Sequence, residues 1–329
     1  MDPRIQALTD WLTRDLDMPG CEPVPASSDA SFRRYFRVRH QGRSYIVMDA
    51  PPEREDCRPF IDIARRLGGI GVHVPEVLHA DTGRGFLLLT DLGTRQYLDA
   101  LDEASVERLY GDALAALAVI QACGPRDEAL PPYDRALLMD EMRLFPDWLL
   151  GRHLGWAPDA RRRAVLEESF ARLADSALQQ PRVCVHRDYH SRNLMVTETN
   201  NPGVLDFQDA VSGPVTYDLV SLLRDCYIAW PRARVEGWAL GYLELAVQSG
   251  VLRPEQADEH RFLRWFDWMG VQRHLKAAGI FARLLHRDGK PGYLKDVPRT
   301  LDYVIEVCAR YPELASLGEL VARAREDLS

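Results

Sequence analysis

Lysine is scarce in this chain of 329 residues: it occurs only at Lys276, Lys290 and Lys295, so almost every fixed positive charge is an arginine. No apolar run approaches the roughly 18–20 residues that a membrane span requires. The first residues lack the basic and apolar regions of a secretory signal. The six cysteines are scattered without a C-x-x-C pair, which is typical of reduced thiols. These absences predict a cytoplasmic protein with no membrane partner.

The chain also has no excess of basic over acidic residues. Asp and Glu number 49 against 41 Lys and Arg, which gives a formal net charge of −8. Since a phosphate backbone demands a basic face, we expect no nucleic-acid partner. No internal repeat or low-complexity segment is visible, and no obligate protein partner is predicted. The length and the 46% hydrophobic content are those of a globular protein with two domains or lobes.

A β-rich segment precedes a mostly helical one. Alternating apolar residues predict strands at 34–39, 44–48, 77–80 and 85–90, and shorter ones at 182–185, 194–196 and 203–205. Apolar residues at helical spacing predict helices at 4–16, 58–67, 104–123, 161–179, 216–229, 234–249, 255–286 and 298–310. We therefore predict an α+β fold with a small β-rich lobe at 1–93 and a larger, mainly helical lobe at 94–329.

Polar residues concentrate in the stretch His186–Asn193, between two predicted strands. Asp206 follows Asn193 by thirteen residues, and a hairpin at 194–205 would bring the two side chains together. Asp188 can position a substrate hydroxyl and accept its proton. Asn193 and Asp206 offer the hard oxygen ligands that Mg²⁺ prefers when it bridges the phosphates of ATP. The pattern favours phosphoryl transfer.

These residues resemble two kinase motifs. His186-Arg-Asp188 with an asparagine five residues later is similar to the kinase catalytic loop, and Asp206-Phe-Gln is similar to the D-F-G metal site. With His190 two residues after the aspartate, the form resembles the aminoglycoside phosphotransferase/choline kinase family. The resemblance implies a two-lobed protein-kinase-like fold and the cofactors ATP and Mg²⁺. Asp218, which precedes a predicted helix, is interpreted as a structural residue that ties the backbone of the catalytic loop.

Further segments resemble the bacterial anomeric N-acetylmuramate/N-acetylglucosamine kinases of cell-wall recycling. They are Asp29–Arg37, Met48–Pro52, Val204–Ala210 and Tyr217–Cys226. The resemblance implies an ATP-dependent kinase that phosphorylates the anomeric C1 hydroxyl of a small amino sugar in peptidoglycan recycling.

Two phosphate-binding parts depart from the kinase pattern. A G-x-G-x-x-G loop is absent, and Ser27–Phe32 occupies its place. Met48 stands where a phosphate-binding lysine is expected, so an arginine must take that role. Arg33 and Arg34 are predicted to bind ATP, whereas Arg37 and Arg34 fall on opposite faces of a regular strand. The carboxylate partner of the missing lysine stays open among Glu53, Glu55 and Asp62.

Other nucleotide and substrate contacts follow from position. The resemblance makes Thr90, Asp91 and Leu92 the hinge that meets adenine through backbone groups. Predicted substrate-binding residues are His190, Asp209, Glu141, Arg143, Gln272 and Arg273. The pair at 272–273 belongs to a cationic helical turn that could bind the lactyl carboxylate of N-acetylmuramate. A solvated basic face explains the same turn equally well, and a buried stripe explains Glu141.

Three other functions are open at this point. The first is a kinase for another small alcohol, such as an aminoglycoside or homoserine. The second is a protein Ser/Thr kinase, which the short segment from Asp206 to Tyr217 disfavours because it leaves little room for an activation loop. The third is a nucleotide-binding pseudokinase, suggested by Met48 but opposed by the intact residues Asp188, Asn193 and Asp206.

Overall fold

The computed structural model describes residues 2–27, 32–126, 129–157 and 159–328, and the chain divides into two compact units. Unit 1 contains residues 1–100 and 193–209, and unit 2 contains residues 101–192 and 210–329. The segment 193–209 therefore packs with the first hundred residues, although part of unit 2 separates them in sequence. The predicted lobe boundary at 93/94 stays a prediction, because packing does not show which part binds nucleotide.

Unit 1 contains an antiparallel sheet with the strand order β1-β2-β3-β5-β4. The strands are β1 (Val24–Ser27), β2 (Arg34–His40), β3 (Arg43–Asp49), β4 (Val77–Asp81) and β5 (Phe86–Thr90). Gln41 and Gly42 join β2 to β3 with φ angles of 49° and 75°. Two left-handed residues in succession give a turn whose twist matches the hairpin, so the register of β2 on β3 is fixed locally.

Helices complete the core of unit 1. Helix α1 (Pro3–Asp10) begins at Asp2, whose side chain accepts from the Arg4 N–H at 2.9 Å. It continues as a π-helical turn over Trp11–Asp15, so the helix predicted over 4–16 is present and changes its winding in the second half. Trp11 and Leu12 are buried against Phe36, Val38 and Phe86 of the sheet. Unit 1 also contains α2 (Arg58–Gly69) and α3 (Tyr97–Ala100).

The last part of unit 1 along the chain is a short hairpin. Strands β7 (Leu194–Met195) and β8 (Gly203–Val204) pair antiparallel, with Leu194 opposite Val204. One further bond, from the Leu205 N–H to the Asn193 carbonyl at 2.9 Å, extends the pairing. The predicted hairpin is therefore present, and it sets Asn193 beside Asp206.

Unit 2 is mainly helical. Its helices are α4 (Val106–Cys123), α5 (Arg135–Leu144), α6 (Ala160–Leu178), α7 (Tyr217–Leu223), α8 (Arg232–Gln248), α9 (Glu259–Asp288), α10 (Val297–Cys308) and α11 (Ala315–Glu326). A π-helical segment at Phe145–His153 follows α5. Strand β6 (Arg182–Val185) pairs antiparallel with β9 (Val211–Pro214). The predicted α+β class is thus confirmed. No helix of the described residues is long and apolar enough to cross a bilayer.

Helix α9 is the 30-residue centre of unit 2. Its middle is buried, including the polar residues Gln272, Arg273, His274 and Lys276. A Cβ built on Gly279 would lie 2.3 Å from the backbone carbon of Leu144, so only glycine lets the end of α5 approach α9 this closely.

Several elements of unit 2 differ from the sequence prediction. The helix predicted over 216–229 ends at Leu223, because Asp225 turns the chain by accepting the Tyr227 N–H at 3.0 Å. Strand β9 and helix α11 were not predicted. Helix α11 had a visible signal, since its buried residues Leu317, Leu320, Val321 and Ala324 follow helical spacing.

Candidate active site

The loop after β6 carries the predicted catalytic residue and is held by a second aspartate. The N–H groups of His186 and Arg187 donate to the two carboxylate oxygens of Asp218 at 2.6 and 3.0 Å. Burial raises the pKa of Asp218 to about 7, and the two donors oppose that shift. Arg187 has a φ of 78°, which costs free energy for a residue with a Cβ. These bonds hold the loop in place, the role predicted for Asp218.

Asp188 follows this strained turn and is half-buried. Burial alone would raise the pKa of its carboxyl, but the surrounding positive side chains, Lys276 foremost, hold that pKa below its ordinary value. Asp188 is therefore a carboxylate at neutral pH. A fixed carboxylate on a strand-end loop can orient a hydroxyl and accept its proton.

A buried ionic network surrounds this loop, with Glu141 at its centre. The Glu141 carboxylate accepts hydrogen bonds from Arg187 and Tyr133 and pairs with the Lys276 ammonium at 2.9 Å. Lys276 also donates to the Tyr217 hydroxyl at 2.9 Å. Burial would raise the pKa of Glu141, but Lys276 and Arg187 lower it. Glu141 thus links α5 and α9 to the residue that precedes Asp188.

The other residues predicted to bind substrate on α5 and α9 divide into two groups. Gln272 is fully buried, and its Nε2 lies 3.3 Å from Glu141 Oε2. Arg273 is also buried, with Nη1 3.6 Å from Cys226 Sγ. Arg143 instead lies on the exposed side of α5, where it pairs with Asp140 at 3.0 Å. The structure therefore brings Gln272 and Arg273 to the surroundings of Asp188 but not Arg143.

His190 lies two residues beyond Asp188 against an aromatic ring. Its ring meets Tyr227 edge-on with centroids 5.5 Å apart. Burial lowers its pKa, so the imidazole is neutral at pH 7. Its Nδ1 has no hydrogen-bond partner within the part of the chain that the structure describes. Next to it, Asp225 accepts the N–H of Ser191 at 2.9 Å, which fixes this end of the loop.

The predicted metal ligands meet at the base of the hairpin in unit 1. The Nδ2 of Asn193 lies 3.3 Å from Asp206 Oδ2, and Gln208 Nε2 donates to Asp206 Oδ1 at 2.8 Å. Asp209 is exposed and 3.3 Å from the same Gln208 Nε2. Among the described residues, no group of three or more His, Cys, Asp or Glu is placed so that it could hold a metal ion. One carboxylate with one amide suits Mg²⁺, which takes few protein ligands and completes its shell with phosphate and water.

Arg33 forms a largely buried ion pair in the same unit. Its guanidinium lies 3.1 Å from Glu55, and the two side chains are 9% and 15% exposed. Burial opposes ionisation, but Tyr35 and the carboxylates Glu55, Asp209 and Asp206 raise the pKa of Arg33. Of the three carboxylates left open by the sequence, the structure pairs Glu55 with this arginine. Residues 28–31 of the predicted phosphate loop lie outside the described residues.

The other predicted nucleotide-binding side chains already have partners. Arg34 pairs with Asp2 and with the fully buried Asp49. Asp91 pairs with Arg37 at 2.6 Å. Thr90 Oγ1 accepts the Glu76 N–H at 2.9 Å. The Leu92 side chain packs against Gly203, where an added Cβ would lie 2.9 Å from Leu92 Cδ1. Met48 is fully buried, so the strand position of the kinase lysine is part of the apolar core.

Several residues of these networks were missed by sequence reasoning. Arg187, Tyr133 and Asp225 each contact the loop or its supporting network. Arg187 stood inside the recognised H-R-D motif, and Asp225 stood inside the segment Tyr217–Cys226. Tyr133 had no such signal.

Comparisons with known proteins agree with this geometry. Residues 22–251 match the model of the family described as "Phosphotransferase enzyme family". A Pseudomonas putida protein named N-acetylmuramate/N-acetylglucosamine kinase is 51% identical over 98% of this chain and 96% of its own. A Neisseria meningitidis protein of the same name is 44% identical, covering 95% and 94%.

Solved structures share the fold at low identity. A Plasmodium vivax ethanolamine kinase superposes with a TM-score of 0.64 at 10% identity, covering 94% of this chain and 88% of that one. A choline kinase from Streptococcus pneumoniae gives 0.55 at 13%, covering 93% and 99%. An aminoglycoside phosphotransferase from Streptomyces rimosus, in complex with ADP and streptomycin, gives 0.51 at 17%, covering 80% and 98%. At these identities the likeness shows the fold alone.

Proposed function

Because the chain belongs to the phosphotransferase enzyme family, we propose that it is an ATP-dependent kinase of N-acetylmuramate and N-acetylglucosamine. The predicted family and the kinase-like fold are confirmed by the comparisons. The observation that carries the proposal is the near-complete alignment, at 51% and 50% identity, with two Pseudomonas proteins that bear this kinase name. The acceptor atom that we propose is the anomeric C1 hydroxyl, and the proposed setting is peptidoglycan recycling in the cytoplasm.

Asp188 is the proposed catalytic residue in unit 2. The hydroxyl oxygen bonds to the γ-phosphorus, the bond from that phosphorus to the β–γ bridging oxygen breaks, and Asp188 takes the hydroxyl proton. Asp218 holds the loop that carries Asp188, and Glu141 holds Arg187 beside it. Such catalysis depends on positioning and electrostatics, because little covalent chemistry is left to the protein.

Asn193 and Asp206 are the proposed holders of Mg²⁺. When bound, the metal offsets the negative charge on the phosphates. Arg33, oriented by Glu55, is the proposed phosphate contact in place of the missing lysine. Its planar guanidinium can bind two phosphate oxygens at once. Arg34 is a weaker candidate because Asp2 and Asp49 already neutralise it.

The remaining proposed contacts come from the backbone and from polar side chains. Thr90, Asp91 and Leu92 meet adenine through backbone groups, which fits side chains that are already occupied within unit 1. On the acceptor side we propose His190, Asp209, Glu141, Arg143, Gln272 and Arg273. Arg143 has the least support, because it lies on the exposed side of α5 with Asp140.

An acceptor panel tests this function. ADP release is measured with Mg·ATP and N-acetylmuramate, N-acetylglucosamine, kanamycin, homoserine, choline or a generic protein. We expect turnover with the two amino sugars alone, and a product phosphorus NMR signal coupled to the anomeric proton. Turnover with another acceptor would keep the kinase chemistry and refute the sugar assignment. ATP binding without any turnover would favour the pseudokinase.

A further inference from the structure

Arg273 is a buried cation with no carboxylate at ion-pair distance among the described residues. Its side chain lies on α9, the residue is 6% exposed, and its recorded polar contact is Nη1 to Cys226 Sγ at 3.6 Å. No carboxylate forms an ion pair with it among the residues that the structure describes. A guanidinium removed from water is costly unless it is paired. A ligand that supplies a negative charge would remove that cost.

The neighbouring charges of unit 2 are already engaged. Arg187 and Lys276 share the carboxylate of Glu141. Asp225 accepts from the Ser191 backbone and hydroxyl and from the Tyr227 N–H. Among the described residues Arg273 forms no ion pair at contact distance, although, against the effect of burial, the charges of Asp225 and Asp188 raise its pKa, so its guanidinium can still donate hydrogen bonds to an external anion.

Contacts within unit 2 connect Arg273 to the loop that carries Asp188. Arg273 contacts Cys226 at 3.6 Å, and the residue that precedes Cys226, Asp225, accepts the N–H of Ser191 on the loop that carries Asp188. Gln272, the preceding residue, belongs to the Glu141 network. Arg273 thus belongs to the group of side chains that surrounds the loop of Asp188.

The two proposed sugars differ in such a substituent. N-acetylmuramate carries a lactyl ether with a carboxylate at O3, and N-acetylglucosamine carries a neutral hydroxyl there. We propose that Arg273 binds the lactyl carboxylate and so favours N-acetylmuramate over an acceptor that lacks this charge. This inference rests on the proposed function. A guanidinium suits the task because it can donate two parallel hydrogen bonds to one carboxylate.

The proposal can be tested on the wild-type protein with a substrate in which the lactyl carboxylate is replaced by an uncharged amide. The kcat/KM is measured for N-acetylmuramate, for its uncharged lactyl amide and for N-acetylglucosamine. One charge-assisted contact corresponds to about a 10- to 100-fold effect, so we expect the amide to be a poorer substrate by that factor. Equal kcat/KM values for the acid and the amide would overturn the proposal. If the wild type phosphorylates neither sugar, the proposed function itself fails.

Substitution of Arg273 tests whether this residue is responsible for the difference between the acid and the amide. In Arg273→Gln the ratio of kcat/KM for N-acetylmuramate over its amide should fall to near one, and Arg273→Lys should restore part of it. The matched control is Arg264→Gln, on the same helix but paired with Glu313 at the surface, and its ratio should equal that of the wild type. An equal loss for the acid and the amide in Arg273→Gln would assign Arg273 to the phosphate or to Asp188 and overturn the proposal. If Arg273→Gln does not fold, Arg273→Lys is compared with the wild type, and an unchanged ratio for the acid over the amide overturns the proposal.

Discussion

Asp188 owes its charge state to neighbours that are distant in sequence. Burial raises its pKa, whereas Lys276 and the other cations of the cluster lower it. The neighbouring Arg187 needs Asp218 to hold a left-handed backbone. The chemistry of one carboxylate therefore depends on at least two elements, α7 and α9.

Asp188→Asn should abolish transfer and leave nucleotide binding intact. An amide cannot accept the hydroxyl proton, so we expect kcat to fall by about 10²- to 10⁴-fold, while the ATP dissociation constant changes less than about threefold. Steady-state kinetics and calorimetry measure the two quantities. Asp140→Asn, an exposed carboxylate on α5, is the control. Turnover retained in Asp188→Asn would refute the role.

Arg33→Met should weaken the binding of phosphate-rich nucleotides selectively. We expect the dissociation constant of Mg·ATP to rise about tenfold and that of adenosine to stay constant, since only the phosphates meet the guanidinium. Glu55→Gln should give a smaller effect of the same sign. Arg39→Met, on the exposed side of β2, is the control. Equal losses for ATP and adenosine would contradict a phosphate contact.

At the scale of elements, α9 shapes unit 2 through what it packs against. The end of α5 lies directly over Gly279, and His274 stacks on Tyr303 of α10 with ring centroids 4.9 Å apart. The His274 Nε2 donates to the Arg224 carbonyl at 2.8 Å. These contacts fix the helix that carries Gln272, Arg273 and Lys276.

Gly279→Ala should destabilise the protein although alanine is the better helix former. The new Cβ would lie 2.3 Å from the Leu144 backbone, and such overpacking costs about 1–3 kcal/mol or more. Gly270→Ala is the matched control on α9, because its Cβ would meet Val220 at an ordinary 3.7 Å; it should be neutral or gain up to about 1 kcal/mol. Denaturant unfolding measures both, and equal stabilities would refute the close approach.

His274 should make stability depend on pH. Burial, reinforced by Arg273, lowers its pKa from 6.5 to about 3. Between these values the unfolded chain binds a proton that the native state does not, so stability is present above pH 6.5 and is lost as the pH falls. From pH 7.5 to 5.5 the loss from this group is about 1.4 kcal/mol. Over this pH range, the free energy of unfolding of His274→Gln should fall by about 1.4 kcal/mol less than that of the wild type. His260→Gln, exposed on the same helix, should keep the wild-type slope; an unchanged slope in His274→Gln contradicts the prediction.

At the scale of the whole molecule, one of the two compact units is built from two segments that are separated in the chain. The segment 193–209 packs with residues 1–100, and the chain on both sides of it belongs to unit 2. The catalytic loop therefore leaves unit 2 between Arg192 and Asn193. Ligands that bind Asn193 or Asp206 act on a segment tied to the sheet-bearing unit.

Mg·ADP should stabilise the folded protein, and removal of the metal should reverse the effect. At a concentration of 100 times its dissociation constant a ligand adds about 2.7 kcal/mol, so Tm should rise by about 4 °C in a chain of this length. EDTA should remove most of the rise, and Asp206→Asn should remove the part that depends on Mg²⁺. Asp81→Asn, in β4 of the same unit, is the control. A rise that is insensitive to both EDTA and Asp206→Asn would exclude this metal site.

The sequence by itself determined the features that depend on neighbours along the chain. Alternation and helical spacing predicted most strands and helices, and the hairpin from Leu194 to Val204 set Asn193 beside Asp206. Only tertiary structure decided the pairs Arg33–Glu55 and Lys276–Glu141. The second pair joins residues 135 positions apart, and no local pattern encodes such a contact. The physical reason is that a buried charge takes its partner from whichever element packs against it, and packing is a property of the whole fold.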